Sequence, residues 1–245
     1  VGAPHIVVVM PAHNAAKTLA DTYRRIPPIV QSLVLVDDHS RDDTVAVANE
    51  LGIKVIRHPH NVGYGGNQKT CYMEALRESA DVVVMLHPDG QYEPELIGEL
   101  VGPIVEGRAD MVLGSRFLAT EGVRAMGMPW WKVAGNHFLT WCENVCMGTN
   151  FSECHTGYRA YSAQFLRRIP FLRNSNDFVF DTQVIVQAVA FGQRVVEVPA
   201  RTRYFADASS VDFRVSVRYG LKTLGVLLGF LAWRLGVSRS RLFEA

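Results

Sequence analysis

Four cysteines in 245 residues are too few to staple a chain of this size, so its fold has to rest on a buried apolar core. Charge of one sign is also scarce. The 25 Lys/Arg and 24 Asp/Glu leave a formal net charge of +1, which excludes wholesale electrostatic attachment to nucleic acid. Long hydrophobic runs are missing. The longest strongly apolar stretch, Thr223 to Trp233 between Lys222 and Arg234, falls short of the roughly 20 residues that span a bilayer as a helix. A secretory leader is not recognisable either, because the first apolar run, Ile6 to Met10, has strand length. Few cysteines and no leader lead us to expect a cytoplasmic, reducing location. No internal repeat, low-complexity tract or linker divides the chain.

The even charge total hides an uneven distribution. Residues 201–245 carry eight Lys/Arg against three Asp/Glu, whereas residues 1–200 carry 17 against 21. A basic tail is joined to a mildly acidic body.

In the first half, short β-branched runs alternate with segments of helical spacing. Strands are predicted at His5–Pro11, Ser32–Asp37, Ile53–Arg57, Asp81–His87 and Asp110–Ser115. Helices are predicted at Ala16–Arg25, Asp43–Leu51, Asn67–Glu78 and Pro94–Gly107. This alternation implies an α/β fold with a parallel sheet covered on both faces, whose ligands bind beyond the carboxyl ends of the strands. Further on, the pattern predicts an amphipathic helix at Trp130–Met147, an irregular segment, a helix at Asp181–Phe191, a strand at Arg194–Val198 and an apolar helix from about Val211 to Leu235.

Polar groups gather where the strands end. Pro11-Ala12-His13-Asn14 closes the first, Asp37-Asp38-His39-Ser40 the second, His87-Pro88-Asp89-Gly90-Gln91 the fourth and Gly114-Ser115-Arg116 the fifth. A carboxylate at Asp37 or Asp38 either caps the next helix, for which Ser40 and Asp42 are also suited, or accepts hydrogen bonds from a base or ribose. The turn Asn61-Val62-Gly63-Tyr64-Gly65-Gly66-Asn67 either is a flexible loop or brings backbone N–H groups close to a phosphate. A dinucleotide fingerprint would put glycines in the first strand-to-helix turn, and Pro11–Asn14 has none. His87, Asp89 and Gln91 bring three metal-competent side chains to one turn, suited to a divalent ion that bridges a diphosphate. The alternative is a strand end followed by an Asp-Gly turn. Cys142, Cys146, Cys154 and His155 match no common zinc spacing, and Trp130-Trp131 fits packing, sugar stacking or a membrane surface.

Taken in order, Pro11-Ala12-His13-Asn14, Val36-Asp37-Asp38-x-Ser40-x-Asp42-x-Thr44, Asn61-x-Gly63, Asp89-Gly90-Gln91 and Gly114-Ser115-Arg116 resemble the family-2 glycosyltransferases of GT-A fold. Within them the set is most similar to the dolichol- or polyprenyl-phosphate hexosyltransferases, over about residues 5–205. The resemblance implies a mostly parallel central sheet flanked by helices at 1–210 and a carboxyl-terminal amphipathic helix at 211–245. It implies a nucleotide-sugar donor, UDP- or GDP-hexose, a lipid phosphate acceptor and Mn²⁺ or Mg²⁺ as cofactor, with no nucleic-acid partner. Pro11, Ala12, Asn14, Asp37 and Asp38 fall where the family holds the nucleoside, and Asn61, Gly63 and Gln68 are carried with them as substrate-binding positions. Asp89, Gln91 and His87 fall at the metal, Asp89 also counting as catalytic with Arg116. Arg116, Arg203 and Lys132 lie near arginines and lysines that meet phosphates. His155, Thr156 and Arg159 belong to a segment that lines the acceptor side. His87 departs from the pattern, standing where the family has Asp, and imidazole shifts the expected ion towards Mn²⁺.

The implied reaction is displacement with inversion at the anomeric carbon. A phosphate acceptor is already ionised and needs no base, whereas a hydroxyl needs one. Asp181 stands near the base of hydroxyl-transferring relatives, or else caps its helix. Two alternatives remain open: transfer to a soluble hydroxyl or amine, and a nucleotide-sugar binding module without catalysis. The tail reads as a docked helix or as an interfacial one that makes peripheral contact with the inner face of a membrane.

Overall fold

The computed structural model describes residues 2–120, 122, 127–202 and 213–244. Strand β1 (Ile6–Ala12), helix α1 (Ala16–Arg24), β2 (Ser32–Asp37), α2 (Thr44–Glu50), β3 (Lys54–Arg57), α3 (Tyr64–Arg77) and β4 (Val82–Met85) follow the predicted alternation. A 3₁₀ turn at Pro94–Leu96 leads into α4 (Ile97–Val105), and then come β5 (Met111–Ser115) and α5 (Trp130–Met147). β6 (Arg159–Ser162), α6 (Ala163–Arg168), α7 (Phe180–Ala190), β7 (Val195–Pro199) and α8 (Phe213–Arg234) complete the order.

The seven strands form one sheet in the order β3-β2-β1-β4-β6-β5-β7. Only β6 runs against the others, pairing antiparallel with β4 and β5. The expected α/β fold with a mostly parallel sheet is therefore borne out, and β6 is the strand that sequence patterning misses. It has four residues and puts Arg159 in the middle of the sheet, which breaks the apolar signature of a buried strand.

Alternate residues of each strand serve opposite layers. Val7 and Val9 join Val34, Val36, Tyr72, Phe165 and Phe180 in one core under α3 and α7. Ile6, Val8 and Met10 join Leu19, Leu35, Leu100 and Val112 in the other, under α1 and α4. From β1 the chain moves outward to β2 and β3, then returns to place β4 on the other side of β1. The crevice at such a reversal lies between strand ends free of crossover helices, the usual ligand position in open α/β sheets. It is flanked here by Pro11-Ala12 and by the turn after β4.

The carboxyl-terminal helix corrects one expectation. α8 extends the apolar run on its amino-terminal side through Ser216 and Gly220, and its 21 residues Arg214–Arg234 are long and apolar enough, by length and composition, to cross a membrane. It packs against α5 and α7, with Thr223, Leu227 and Phe230 buried and Phe230 edge-on to Phe243.

Candidate active site

One end of the crevice is built around two neighbouring carboxylates. Asp37 ends β2, level with Ala12 of β1 and Arg57 of β3. It is fully buried, accepts the Ser40 N–H at 3.2 Å and lies 3.5 Å from the Arg57 guanidinium. Asp38 holds the glycine-rich turn. Its carboxylate accepts the N–H of Val62 at 2.8 Å and of Gly63 at 3.1 Å, and meets His58 Nδ1 at 3.0 Å. Asn61 reaches back to the Asp38 carbonyl through Nδ2 and accepts the Gly63 N–H through Oδ1. Asn14, at φ 54°, accepts the Arg41 N–H at 2.8 Å. Beside this cluster an open cavity of about 390 Å³ is lined by His39, Arg57, His58 and Pro59.

The glycines of the turn serve packing. The N–H groups of Gly65 and Gly66 donate to the Asn176 carbonyl at 2.8 and 3.4 Å. A Cβ on Gly65 would stand 2.5 Å from the Ser175 carbonyl oxygen and 2.7 Å from Phe180 Cβ. Donors at the start of α3 that looked available to a phosphate are thus spent on the 174–177 loop.

Behind that turn lies a second group. Tyr64 donates its hydroxyl proton to Asp181 Oδ2 at 2.7 Å and stacks on the His87 ring at 5.6 Å between centroids. Gln68 Nε2 donates to Asp181 Oδ1 at 3.1 Å, and Arg159 Nη1 lies 3.4 Å from the same oxygen. Enclosure, reinforced by the Asp181 charge, pushes the Tyr64 hydroxyl well above its ordinary value, so it stays a donor. Burial works against the Arg159 charge, but Asp181 together with Tyr161, Tyr64 and Tyr72 more than offsets it and holds the guanidinium above its ordinary value. Arg159 is wholly buried and also donates to the carbonyls of Thr156, Asp181 and Cys154. It braces the 154–159 segment from inside.

His87 is held below its ordinary value by burial, against the opposing charges of Asp89 and Asp181, and is a neutral imidazole at neutral pH. Its Nε2 faces the Tyr64 hydroxyl at 3.4 Å. A Cβ on Gly157 would come 3.0 Å from that nitrogen, so the 155–158 segment packs closely over the ring. The Gly157 N–H also donates to the Tyr92 hydroxyl at 2.9 Å. Asp89 and Gln91 are partly exposed, with Asp89 Oδ1 accepting the Gln91 N–H at 3.0 Å. One carboxylate and one amide oxygen suit a hard divalent ion that draws its remaining ligands from a diphosphate and water. No cluster of three His, Cys, Asp or Glu side chains occurs among the described residues, so protein alone does not complete such a site.

After β5, Arg116 is committed to a buried partner. Its backbone N–H and Nε each donate to Glu153 at 2.8 Å, its Nη2 bonds the same carboxylate, and Nη2 donates to the His155 carbonyl at 2.8 Å. Burial opposes ionisation of Glu153, yet Arg116 and Asn136 hold it below its ordinary value. Lys132 lies over the Trp131 ring at 5.3 Å and is lowered first by burial and then by the Arg116 charge. Thr156 is buried and accepts the Tyr158 N–H at 3.3 Å, while His155 bonds the Tyr219 hydroxyl on α8 at 2.7 Å through Nδ1. Arg203 lies outside the described residues. Sequence reasoning did not single out Tyr64, Tyr92 or Glu153. Tyr64 could have been found from its place inside the glycine-rich turn, but Glu153 had no signal beyond being an acid in an irregular segment.

A sheet with its reversal at β1/β4, carboxylates at the end of β2 and an Asp-Gly-Gln turn after β4 defines the GT-A class of glycosyltransferase. Residues 7–169 match the model of Glycosyl transferase family 2, and the chain belongs to that family. It is 24% identical over 81% of its length to the UDP-N-acetylglucosamine--dolichyl-phosphate N-acetylglucosaminyltransferase of Methanococcus voltae, covering 86% of that protein. It is 29% identical over 79% of its length to the polyprenol monophosphomannose synthase of Mycolicibacterium smegmatis, covering 75% of it. Among solved structures, glucosyl-3-phosphoglycerate synthase from Mycobacterium tuberculosis, in complex with Mn²⁺, UDP-glucose and phosphoglyceric acid, superposes with a TM-score of 0.66 at 19% identity. The match covers 97% of this chain and 82% of that one. The fold expected from sequence is the fold of these proteins.

Proposed function

We propose that this glycosyltransferase moves a hexose from a nucleotide diphosphate sugar to a polyprenyl phosphate, with inversion at the anomeric carbon. The observation that carries the choice of acceptor is the state of Asp181. Tyr64 bonds Oδ2, and Gln68 and Arg159 meet Oδ1, so three of its roughly four acceptor positions are engaged and at most about one, on Oδ2, is left for an incoming hydroxyl. An acceptor that arrives ionised, as a phosphate monoester does, needs no such group. The polyprenol-phosphate relatives favour the same reading.

In this reading the nucleoside lies across the ends of β1 and β2, with Asp37, Asn14 and the Asp38-anchored turn around it. Asp89 and Gln91 would hold a divalent ion such as the Mn²⁺ of the structural neighbour, and such an ion would supply positive charge to offset the negative charge of the diphosphate. Lys132 adds charge on the acceptor side, while Glu153 fixes Arg116 in place and offsets much of its charge. Tyr64 and Arg159 keep Asp181 oriented and the acceptor segment closed against the turn after β4. The partners are accordingly UDP- or GDP-hexose and a lipid phosphate, and α8 with its basic flanks lies at the cytoplasmic face of a membrane where that lipid resides.

The test is a panel of UDP- and GDP-sugars crossed with a short-chain polyprenyl phosphate, 3-phosphoglycerate and a simple alcohol, each with Mg²⁺ and Mn²⁺. Product on the prenyl phosphate alone is expected. Product on the soluble acceptors instead would replace this reading with the alternative that the structural neighbour's phosphoglyceric acid represents.

A further inference from the structure

Asp38 has a partner for its N–H, its carbonyl and both carboxylate oxygens. The N–H donates to the Ala12 carbonyl at 2.8 Å. The carbonyl meets His13 Nδ1 at 2.9 Å and accepts Asn61 Nδ2 at 3.3 Å. The carboxylate takes the N–H groups of Val62 and Gly63, and His58 Nδ1 stands 3.0 Å from its Oδ1. Three of about four acceptor positions on the carboxylate are therefore filled from within the protein, and the side chain is only 5% exposed. What it holds is a segment without regular structure, residues 61–63 between β3 and α3. On its other side that segment is pressed against the 174–177 loop, where a Cβ on Gly63 would stand 2.6 Å from the Asn176 carbonyl oxygen.

Two of the three donors on the carboxylate belong to the held segment itself. The third, His58, comes from the residue after β3, and its own backbone N–H is fixed on the Asp37 carbonyl at 2.9 Å. Its second ring nitrogen, Nε2, lies 2.9 Å from the Thr70 hydroxyl on α3. A carboxylate only accepts, so Nδ1 must carry a proton. In the neutral ring Nε2 then accepts the Thr70 hydroxyl proton, and in the charged ring it donates to the same oxygen; Nδ1 donates to Asp38 in both. The imidazole is thus braced between α3 and the end of β2, and one edge of it lines the open cavity with His39, Arg57 and Pro59.

We propose that His58 is a positioning residue of the donor site: through Asp38 it fixes residues 61–63 in the shape that receives the nucleoside, and it takes no part in the transfer step. The inference rests on the reading of this end of the crevice as the nucleoside site and deepens it. Without the Nδ1 donor the segment would be correctly shaped for only a fraction of the time, and apparent affinity falls by that fraction. Asp89 and Asp181 lie on the turn after β4 and on α7, with hydrogen bonds that do not pass through His58. Chemistry in the bound complex should therefore be untouched.

The test uses the full chain with His58→Leu, His58→Asn and His58→Gln. Leucine fills the space without a donor. Asparagine places an amide nitrogen where Nδ1 stands, and glutamine carries its amide one bond further, towards Thr70. Calorimetric titration with UDP and with GDP, each with Mn²⁺, should show dissociation constants raised about tenfold to a hundredfold in the leucine and glutamine variants, the scale of a lost hydrogen bond to a charged group. Asparagine should restore most of the affinity. Initial rates with a short-chain polyprenyl phosphate should show donor KM rising in parallel while kcat stays within about twofold, the signature of lost binding alone. Thermal melts verify folding, and the contrast between asparagine and glutamine decides the matter even where leucine is not tolerated. Parental nucleotide affinity in folded glutamine and leucine variants would overturn the proposal, as would a fall in kcat at unchanged KM or equal weakening by asparagine and glutamine. If the parent binds neither nucleotide, the nucleoside reading fails and takes this inference with it; nucleotide binding without transfer to the prenyl phosphate removes only the acceptor reading, and the titrations still decide the role of His58.

Discussion

Arg116 shows how a residue correctly placed by sequence can have a different occupation in the fold. Its position after β5 suggests a phosphate contact, yet its guanidinium is bound to the buried Glu153. Removing one member of a buried pair strands the other, at a cost of about 3–5 kcal/mol. Arg116→Met should therefore lower stability by about that amount at neutral pH. The pH dependence has a definite sign. In the parent, Glu153 sits below its unfolded value of 4.5, so its contribution is present above that value and is lost as pH falls through the folded one. In the variant, burial is left to act with less opposition and raises the folded value. Stability then falls as pH rises past 4.5, and acid recovers part of the loss. Denaturant titrations of both chains across that range would show the opposed slopes, and adding Glu153→Gln should restore much of the neutral-pH stability. None of this pairing was legible in the sequence, because residues 37 positions apart meet only through the antiparallel β6. Asp37, Asp38 and Asn61, by contrast, were legible as a group: each follows a strand end, and parallel strands deliver their ends to one edge.

At the scale of elements, the parallel strands and their helices were readable because period-two and helical spacing repeat with clear turn residues between them. α5 was found with its observed limits, but periodicity shows that a helix has two faces and not which one turns inward. α3 begins three residues earlier than its propensities suggest. Gly65 and Gly66 disfavour helix, and the Asn176 carbonyl that holds their N–H groups lies more than a hundred residues away. Gly65→Ala tests this closure. Its methyl group meets backbone oxygen and Phe180 Cβ, so a gain in helix propensity of up to about 1 kcal/mol is outweighed by overpacking, about 1–3 kcal/mol or more. A fall in thermal midpoint is expected; a rise would mean that the 174–177 loop moves away without cost.

For the whole molecule, the net charge of +1 divides into a mildly acidic body, residues 1–200, and a basic carboxyl-terminal segment, residues 201–245. Attraction of that segment to anionic lipid is screened by salt, whereas apolar burial is not. Vesicle binding by the parent should weaken as salt rises and level off above zero; complete loss would assign attachment to charge alone. In the proposed reaction an already ionised acceptor makes a base unnecessary. The most direct measurement is the initial rate of hexose transfer from a nucleotide sugar to a short-chain polyprenyl phosphate, for the parent, Asp181→Asn and Asp89→Asn. Asp181→Asn keeps the side chain's shape and should retain transfer within about tenfold, a loss too small for a missing general base. Asp89→Asn should lose about a hundredfold or more, the scale of removing one charge-stabilising group. Loss of transfer in a folded Asp181→Asn chain, with Asp89→Asn still active, would contradict the account.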